Sequence, residues 1–144
     1  MDLFENEQKI DNEEVQQLIQ SAIQARENAY APYSGFCVGA ALRTDNGMTF
    51  TGCNVENASY GATICAERVA ISKAVSEGYT QFTSIAIVGG ARDEAPSAYA
   101  SPCGICRQVL AEFATDNCKV YVAKSIRDYK TFSFWELYPE GFKK

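Results

Sequence analysis

Apolar positions recur along this chain with two periods, and the changes from one to the other mark its elements. Val15, Leu18, Ile19, Ala22 and Ile23 return every three or four residues, the spacing of one helical face, and Arg26 extends the stripe. Asn12 precedes them as a capping residue, and Glu13 and Glu14 stand in the first turn, where negative charge suits the helix dipole. This helix is expected to end before Ala31-Pro32-Tyr33-Ser34-Gly35, with about ten polar, flexible residues ahead of it. Residues 36–42 and 48–54 predict two strands joined by the hairpin turn Asp45-Asn46-Gly47. Residues 54–64 are polar and turn-rich. A second helix follows Cys65, with Ala66, Val69, Ala70, Lys73 and Ala74 at helical spacing and Gly78 closing it. Residues 82–88 form a continuous apolar run, as a buried parallel strand does, ended by Gly89-Gly90. A surface loop over 91–99 leads to Ser101-Pro102, a helix-start signal for a third helix running to about Ala114. Strands over 119–123 and 130–134 and a short helical turn from Trp135 complete the pattern.

The order α-β-β-α-β-α-β-β predicts an α/β fold, a three-layer α/β/α sandwich whose mixed, mostly five-stranded sheet is covered on both faces. At 144 residues the chain is expected to form a single domain. Its formal charge of −5 and the lack of any dense Lys or Arg block argue against a nucleic-acid partner and favour a small-molecule one. It contains no histidine, which removes the Ser-His-Asp triad, the Cys-His dyad and every imidazole metal ligand. Any proton shuttle must then come from a carboxylate, Cys, Lys, Tyr or water. Six cysteines are present, but the acidic start MDLFENEQKIDNEE has neither the basic nor the apolar region of a signal peptide, and no apolar run reaches membrane-spanning length. Thiols kept free or metal-bound in a reducing cytoplasm are the expectation.

Cys103 and Cys106 form a C-x-x-C pair, which on a helix places both on one side and suits either metal binding or redox chemistry. Cys65, at the start of another helix, supplies a third thiol. Three thiolates and one open position make a catalytic zinc site, whereas four protein ligands make a closed structural one; Cys53 is the candidate fourth ligand in that second case. In the open case zinc lowers the pKa of a bound water. Glu67 stands two residues beyond Cys65, where it can sit beside the metal without binding it and move that water's proton. Three thiolates leave the site with a net negative charge, so a cation should support them; Arg68 and Arg107 are both adjacent to site residues, and Arg68 is favoured.

Cys65-Ala66-Glu67 followed by Pro102-Cys103-Gly104-Ile105-Cys106 resembles the signature of the zinc-dependent cytidine and nucleoside deaminase superfamily, and the use of three cysteines resembles its small homotetrameric cytidine deaminases. Tyr33-Ser34-Gly35-Phe36-Cys37-Val38-Gly39-Ala40-Ala41-Leu42 is similar to the family's first strand, and Gly52-Cys53-Asn54-Val55-Glu56-Asn57-Ala58-Ser59-Tyr60 to its nucleoside-binding segment. The resemblance implies one catalytic zinc per subunit on Cys65, Cys103 and Cys106, with Glu67 as proton shuttle. It implies that Asn54 and Glu56 hold the ribose 3'-hydroxyl, that Phe36 packs against the base, and that the backbone near Ala66 orients the departing amine. It also implies a homotetramer in which Phe142 closes a neighbouring subunit's pocket. The reaction so implied is hydrolytic deamination of cytidine and deoxycytidine, in pyrimidine salvage. Deamination of cytosine in nucleic acid or in an antibiotic, and a non-catalytic zinc module, are the competing readings. The lack of basic stripes weighs against the first, and Asn54 and Glu56 against the second.

Overall fold

The structure, a computed structural model, describes residues 2–144 apart from the side chains of residues 4 and 10. Strands β1 (Phe36–Thr44), β2 (Thr49–Cys53), β3 (Phe82–Ala91), β4 (Ala114–Ala123) and β5 (Tyr129–Ser133) form one sheet in the order β2-β1-β3-β4-β5. Neighbours β3 and β4 run parallel and the other pairs antiparallel, so the sheet is mixed, as expected. Helix α1 (Leu3–Arg26) covers one face; α2 (Ala66–Ser76), α3 (Gly104–Ala111) and the short α4 (Phe134–Leu137) cover the other.

The two-residue period of the strands sorts their side chains between these layers. Ala40, Leu42, Phe50, Ile85, Ile87, Val120 and Val122 pack with Ala70, Ile71 and Leu110 on the α2–α3 side. Ala41, Ala86, Val88 and Ala123 meet Leu18, Ile19 and Ala22 of α1. With helices on both faces, the central strand β3 needs apolar residues at successive positions, which accounts for its unbroken run.

Both helical layers come close enough to touch strand backbone. A Cβ on Gly39 would stand 2.0 Å from the Ala22 carbonyl oxygen of α1, and one on Gly52 would stand 2.5 Å from the Ala66 carbonyl oxygen and 2.6 Å from the Ala70 nitrogen of α2. Gly52→Ala is therefore expected to push α2 off the sheet and cost about 1–3 kcal/mol, read as a lowered melting temperature. An unchanged melting temperature would show that this approach is not close.

The observed boundaries differ from expectation in four places. Helix α1 begins at Leu3, not after Asn12: the Asp2 carboxylate accepts from the Glu5 N–H at 2.8 Å, and the Glu, Gln and Lys residues that follow favour helix strongly enough to carry it through. Gly89-Gly90 do not end β3, because Val38, Cys37 and Phe36 of β1 pair with Gly89, Gly90 and Ala91. Helix α3 starts at Gly104, with Cys103 and not Ser101 as its cap, and stops at Ala111. Strand β4 then begins at Ala114, aided by a register shift opposite Phe82 and Ser84. Among the described residues no helix is long and apolar enough to cross a membrane.

Candidate active site

Cys65 and Cys103 occupy equivalent places on two helices that touch each other. Each is the extended residue just before the first turn, and neither sulfur makes a capping bond to its helix's backbone, so both are free to turn outward. Cys106 lies three residues into α3, where the helical repeat returns its side chain toward Cys103. The three Sγ atoms lie within 4.8 Å of one another. Two sulfurs on one tetrahedral zinc, each about 2.3 Å from it, stand about 3.8 Å apart; the Cys65 and Cys103 sulfurs are 3.8 Å apart. The donor set and its spacing therefore fit zinc. Cys53 is no part of the cluster: it packs beside Ala29, Ala31 and Cys37. Cys37 and Cys118 are buried strand residues, as expected.

The sulfurs hold their protons unequally. A hydrogen bond from Cys106, reinforced by Arg68, keeps the Cys65 thiol well below the usual thiol range against the opposing effect of burial, and the same contact with Cys65 raises Cys106. Arg68 is three residues beyond Cys65 on the first turn of α2, and its Nη2 donates to the Cys65 sulfur at 3.7 Å and to the Thr63 carbonyl at 3.3 Å. Arg107 does not reach the sulfurs; it donates to the Pro102 and Leu137 carbonyls. Of the two cations open in the sequence, the structure puts Arg68 on a thiolate.

Glu67 follows Cys65 by two residues and is 5% exposed. Burial, with the Cys65 sulfur adding to it, pushes its carboxyl up to about 7. It lines a cavity of about 350 Å³ together with Phe36, Asn54, Cys65, Ala66 and Cys103. The cavity thus joins two of the three cysteines to four of the residues expected around a substrate.

Asn54 is held rigidly in that wall. Its Oδ1 accepts from the Val38 N–H at 2.9 Å and its Nδ2 donates to the Phe36 carbonyl at 2.9 Å, leaving one N–H and one lone pair. Glu56 is turned to a neighbouring cavity of about 700 Å³, which shares Thr63, Cys65 and Cys103 with the first and is also bordered by Tyr60. Its carboxylate accepts from the Tyr33 and Ser34 N–H groups at 2.9 and 3.1 Å and from the Ser34 hydroxyl at 2.5 Å. The Ser34 hydroxyl bond above all holds that carboxyl below its ordinary value. Phe142 lies outside both cavities and is 71% exposed; only its backbone carbonyl is engaged, by Gln108.

Thr63, Ala98, Tyr99, Ala100 and Ser101 also line the smaller cavity and were not expected there as site residues. Tyr99 is the most constrained of them: its hydroxyl donates to Asp128, and the Lys124 and Lys130 ammonium groups stand 4.4 and 4.3 Å from its ring centroid. Proximity in sequence to Cys103 was the sole available hint.

Comparison with known proteins agrees with this geometry. Residues 12–122 match the model described as the cytidine and deoxycytidylate deaminase zinc-binding region. The chain is 48% identical over 127 residues to a cytidine deaminase of Halalkalibacterium halodurans, covering 88% of this chain and 92% of that one. It is 45% identical over 131 residues to a cytidine deaminase of Sporosarcina psychrophila, covering 91% and 93%. A crystal structure of cytidine deaminase from Burkholderia pseudomallei superposes with a TM-score of 0.77 at 45% identity, over 88% of this chain and 97% of that one.

Proposed function

Because this chain belongs to the zinc-binding cytidine and deoxycytidylate deaminase family, we propose a specific division of labour for the residues around its cavity. It is a zinc-dependent enzyme that hydrolyses the 4-amino group of cytidine. We extend the substrate to deoxycytidine, and we take residues 1–144 as one deaminase domain. The observation that carries the reading is a cluster of three sulfurs, two of whose cysteines share the wall of a nucleoside-sized cavity with a buried carboxylate.

Cys65, Cys103 and Cys106 hold the metal, which when bound lowers the pKa of a water and makes it nucleophilic at neutral pH. Glu67 takes the proton from the attacking water and passes it to N3 of the pyrimidine as oxygen adds to C4. The same carboxylate then takes the remaining proton from the hydroxyl now on C4 and delivers it to the amino group; the C4–N bond breaks, the C4 carbonyl forms, and ammonia leaves. Burial raises this carboxyl above its ordinary value, which makes it a stronger base toward the water's proton, and its place in the cavity wall puts it beside the substrate that receives that proton. Arg68 offsets the charge of the Cys65 thiolate. The backbone of Ala66 orients the departing amine, and Phe36 packs against the base.

The ribose 3'-hydroxyl falls to Asn54 and Glu56. Asn54 offers a hydroxyl the one donor and one acceptor that β1 leaves it. A carboxylate has about four acceptor sites, and Glu56 spends three on the Tyr33–Ser34 turn, so one remains for a sugar hydroxyl. A site with polar groups committed to the sugar rejects a ligand that lacks it. In assays of cytidine, deoxycytidine, cytosine and cytidine monophosphate, with and without metal stripping, the two nucleosides should react and free cytosine should be at least about 10²-fold slower. Metal-depleted protein should be inactive. Equal rates on cytosine and cytidine would overturn the sugar assignment; full activity without metal would overturn the whole reading.

The assembly is a homotetramer, in a reducing cytoplasm, with Phe142 entering a neighbouring subunit's pocket. Its support is the exposure of Tyr33, Tyr60 and Ile105 around the larger cavity, and of Phe142 itself, in a single chain. Sedimentation at assay concentration should give four subunits, and an active monomer would refute the arrangement.

A further inference from the structure

Two consecutive residues of α3, directly after Cys106, bind the C-terminal segment of the chain. Arg107 Nε donates to the Pro102 carbonyl at 2.8 Å, and its Nη1 donates to the Leu137 carbonyl at 2.6 Å. Gln108 Nε2 donates to the Phe142 carbonyl at 3.2 Å, and its Oε1 accepts from the Tyr138 hydroxyl. One guanidinium thus ties the peptide just ahead of Cys103 to the end of α4, and its neighbour ties the following turn to the same segment.

That segment is itself anchored. Phe134 is fully buried in the α2–α3 core and packs edge-on to Trp135, whose Nε1 donates to the Thr115 carbonyl at 3.0 Å. Ser133 and Glu136 cap α4 reciprocally. The Tyr138 ring lies so close to Gly141 that a Cβ there would stand 2.1 Å from Cδ2 and 2.2 Å from Cε2. The contact therefore requires glycine at 141.

We propose that Arg107 is a positioning residue for the zinc ligands, working against residues 137–142 as a brace that keeps Cys103 and Cys106 in register with Cys65. Arg107 acts through backbone geometry: its guanidinium donates to two carbonyls on either side of α3, whereas the cation on the Cys65 sulfur is Arg68. Lysine at 107 keeps the charge but not the two-pronged grip on two carbonyls. The proposal rests on the zinc assignment above, and it places part of the metal's retention in the C-terminal segment, away from the sulfurs.

The test is the rate of zinc release from the zinc-loaded protein to a chromophoric chelator, together with melting of the metal-stripped protein. The variants are Arg107→Lys, Gln108→Leu and Gly141→Ala; the last displaces Tyr138 from the far side without altering α3. Wild-type protein should first be shown to hold zinc, since its failure to do so would refute the zinc assignment and not the brace. Release is then expected to quicken about 10-fold or more in Arg107→Lys and in Gly141→Ala, the size of effect seen when a group supporting a metal ligand is lost. It should do so beyond any change in the melting of the stripped protein. Wild-type release from either variant, even with lowered melting, would overturn the proposal. If Arg107→Lys does not fold, Gln108→Leu takes its place under the same criterion.

Discussion

Glu67→Gln is expected to lower kcat for cytidine about 10²- to 10⁴-fold while making the metal-stripped protein more stable above neutral pH. The first effect follows from the shuttle: an amide accepts no proton from water and delivers none to N3. Glutamine has nearly the shape of glutamate, so binding should change far less than kcat. The second effect follows from burial. The folded chain raises the Glu67 carboxyl from its ordinary 4.5 to about 7, so the fold prefers the neutral form. Below about pH 4.5 the group is protonated in both the folded and unfolded chain and costs nothing. As pH rises toward 7 the unfolded chain loses the proton first, and stability falls; above 7 the penalty is complete, of order 3 kcal/mol. The amide escapes it. Stripped Glu67→Gln should then melt about 5–10 °C above stripped wild type at pH 8 and alongside it near pH 4.5. A variant that turns over within tenfold of wild type would remove Glu67 from the chemistry. A melting difference independent of pH would show that its charge is not what the fold opposes.

This opposition between stability and chemistry separates what was legible in the sequence from what was not. Cys65-x-Glu67 and Cys103-x-x-Cys106 were legible because a helix start has fixed local geometry, and three or four residues along it decide which side chains share a side. The layers were legible for the same reason, through periods of two and of three to four. Direction was harder to read. Arg68 and Arg107 are equally close to site residues in sequence, yet one reaches back to its helix's cap sulfur and the other is captured by the Pro102 and Leu137 carbonyls. Ser101-Pro102 carries a strong helix-start signal, but the cap position went to Cys103, whose sulfur makes no capping bond and stays available. Tyr99 could not be found from local pattern, since its partner Asp128 is 29 residues away, on the turn between β4 and β5. Glu56 illustrates the same limit: its acidity was visible, its three bonds to the Tyr33–Ser34 turn were not.

Cys103→Ala should abolish detectable deamination with little direct cost to the fold, a combination that distinguishes a metal ligand from a packing cysteine. Cys103 is exposed, caps α3 without a side-chain bond, and fills no core space, so losing its sulfur opens no cavity. Two sulfurs remain, and two ligands hold zinc far less tightly than three. The loss should appear as stability as well as activity. A ligand that binds only the folded chain adds about 2.7 kcal/mol at a hundred times its dissociation constant, which for a chain of this size is about 5–10 °C of melting temperature. Zinc should therefore raise the melting of wild type by at least that much and leave Cys103→Ala where the stripped wild type lies. Cys53→Ala is the matched control: Cys53 is only partly buried and lies outside the cluster, so that variant should retain zinc, its stabilisation and its turnover. Equal zinc content in both variants would remove Cys103 from the ligand set. Loss of zinc from both would make Cys53 the fourth ligand and close the position that an attacking water needs.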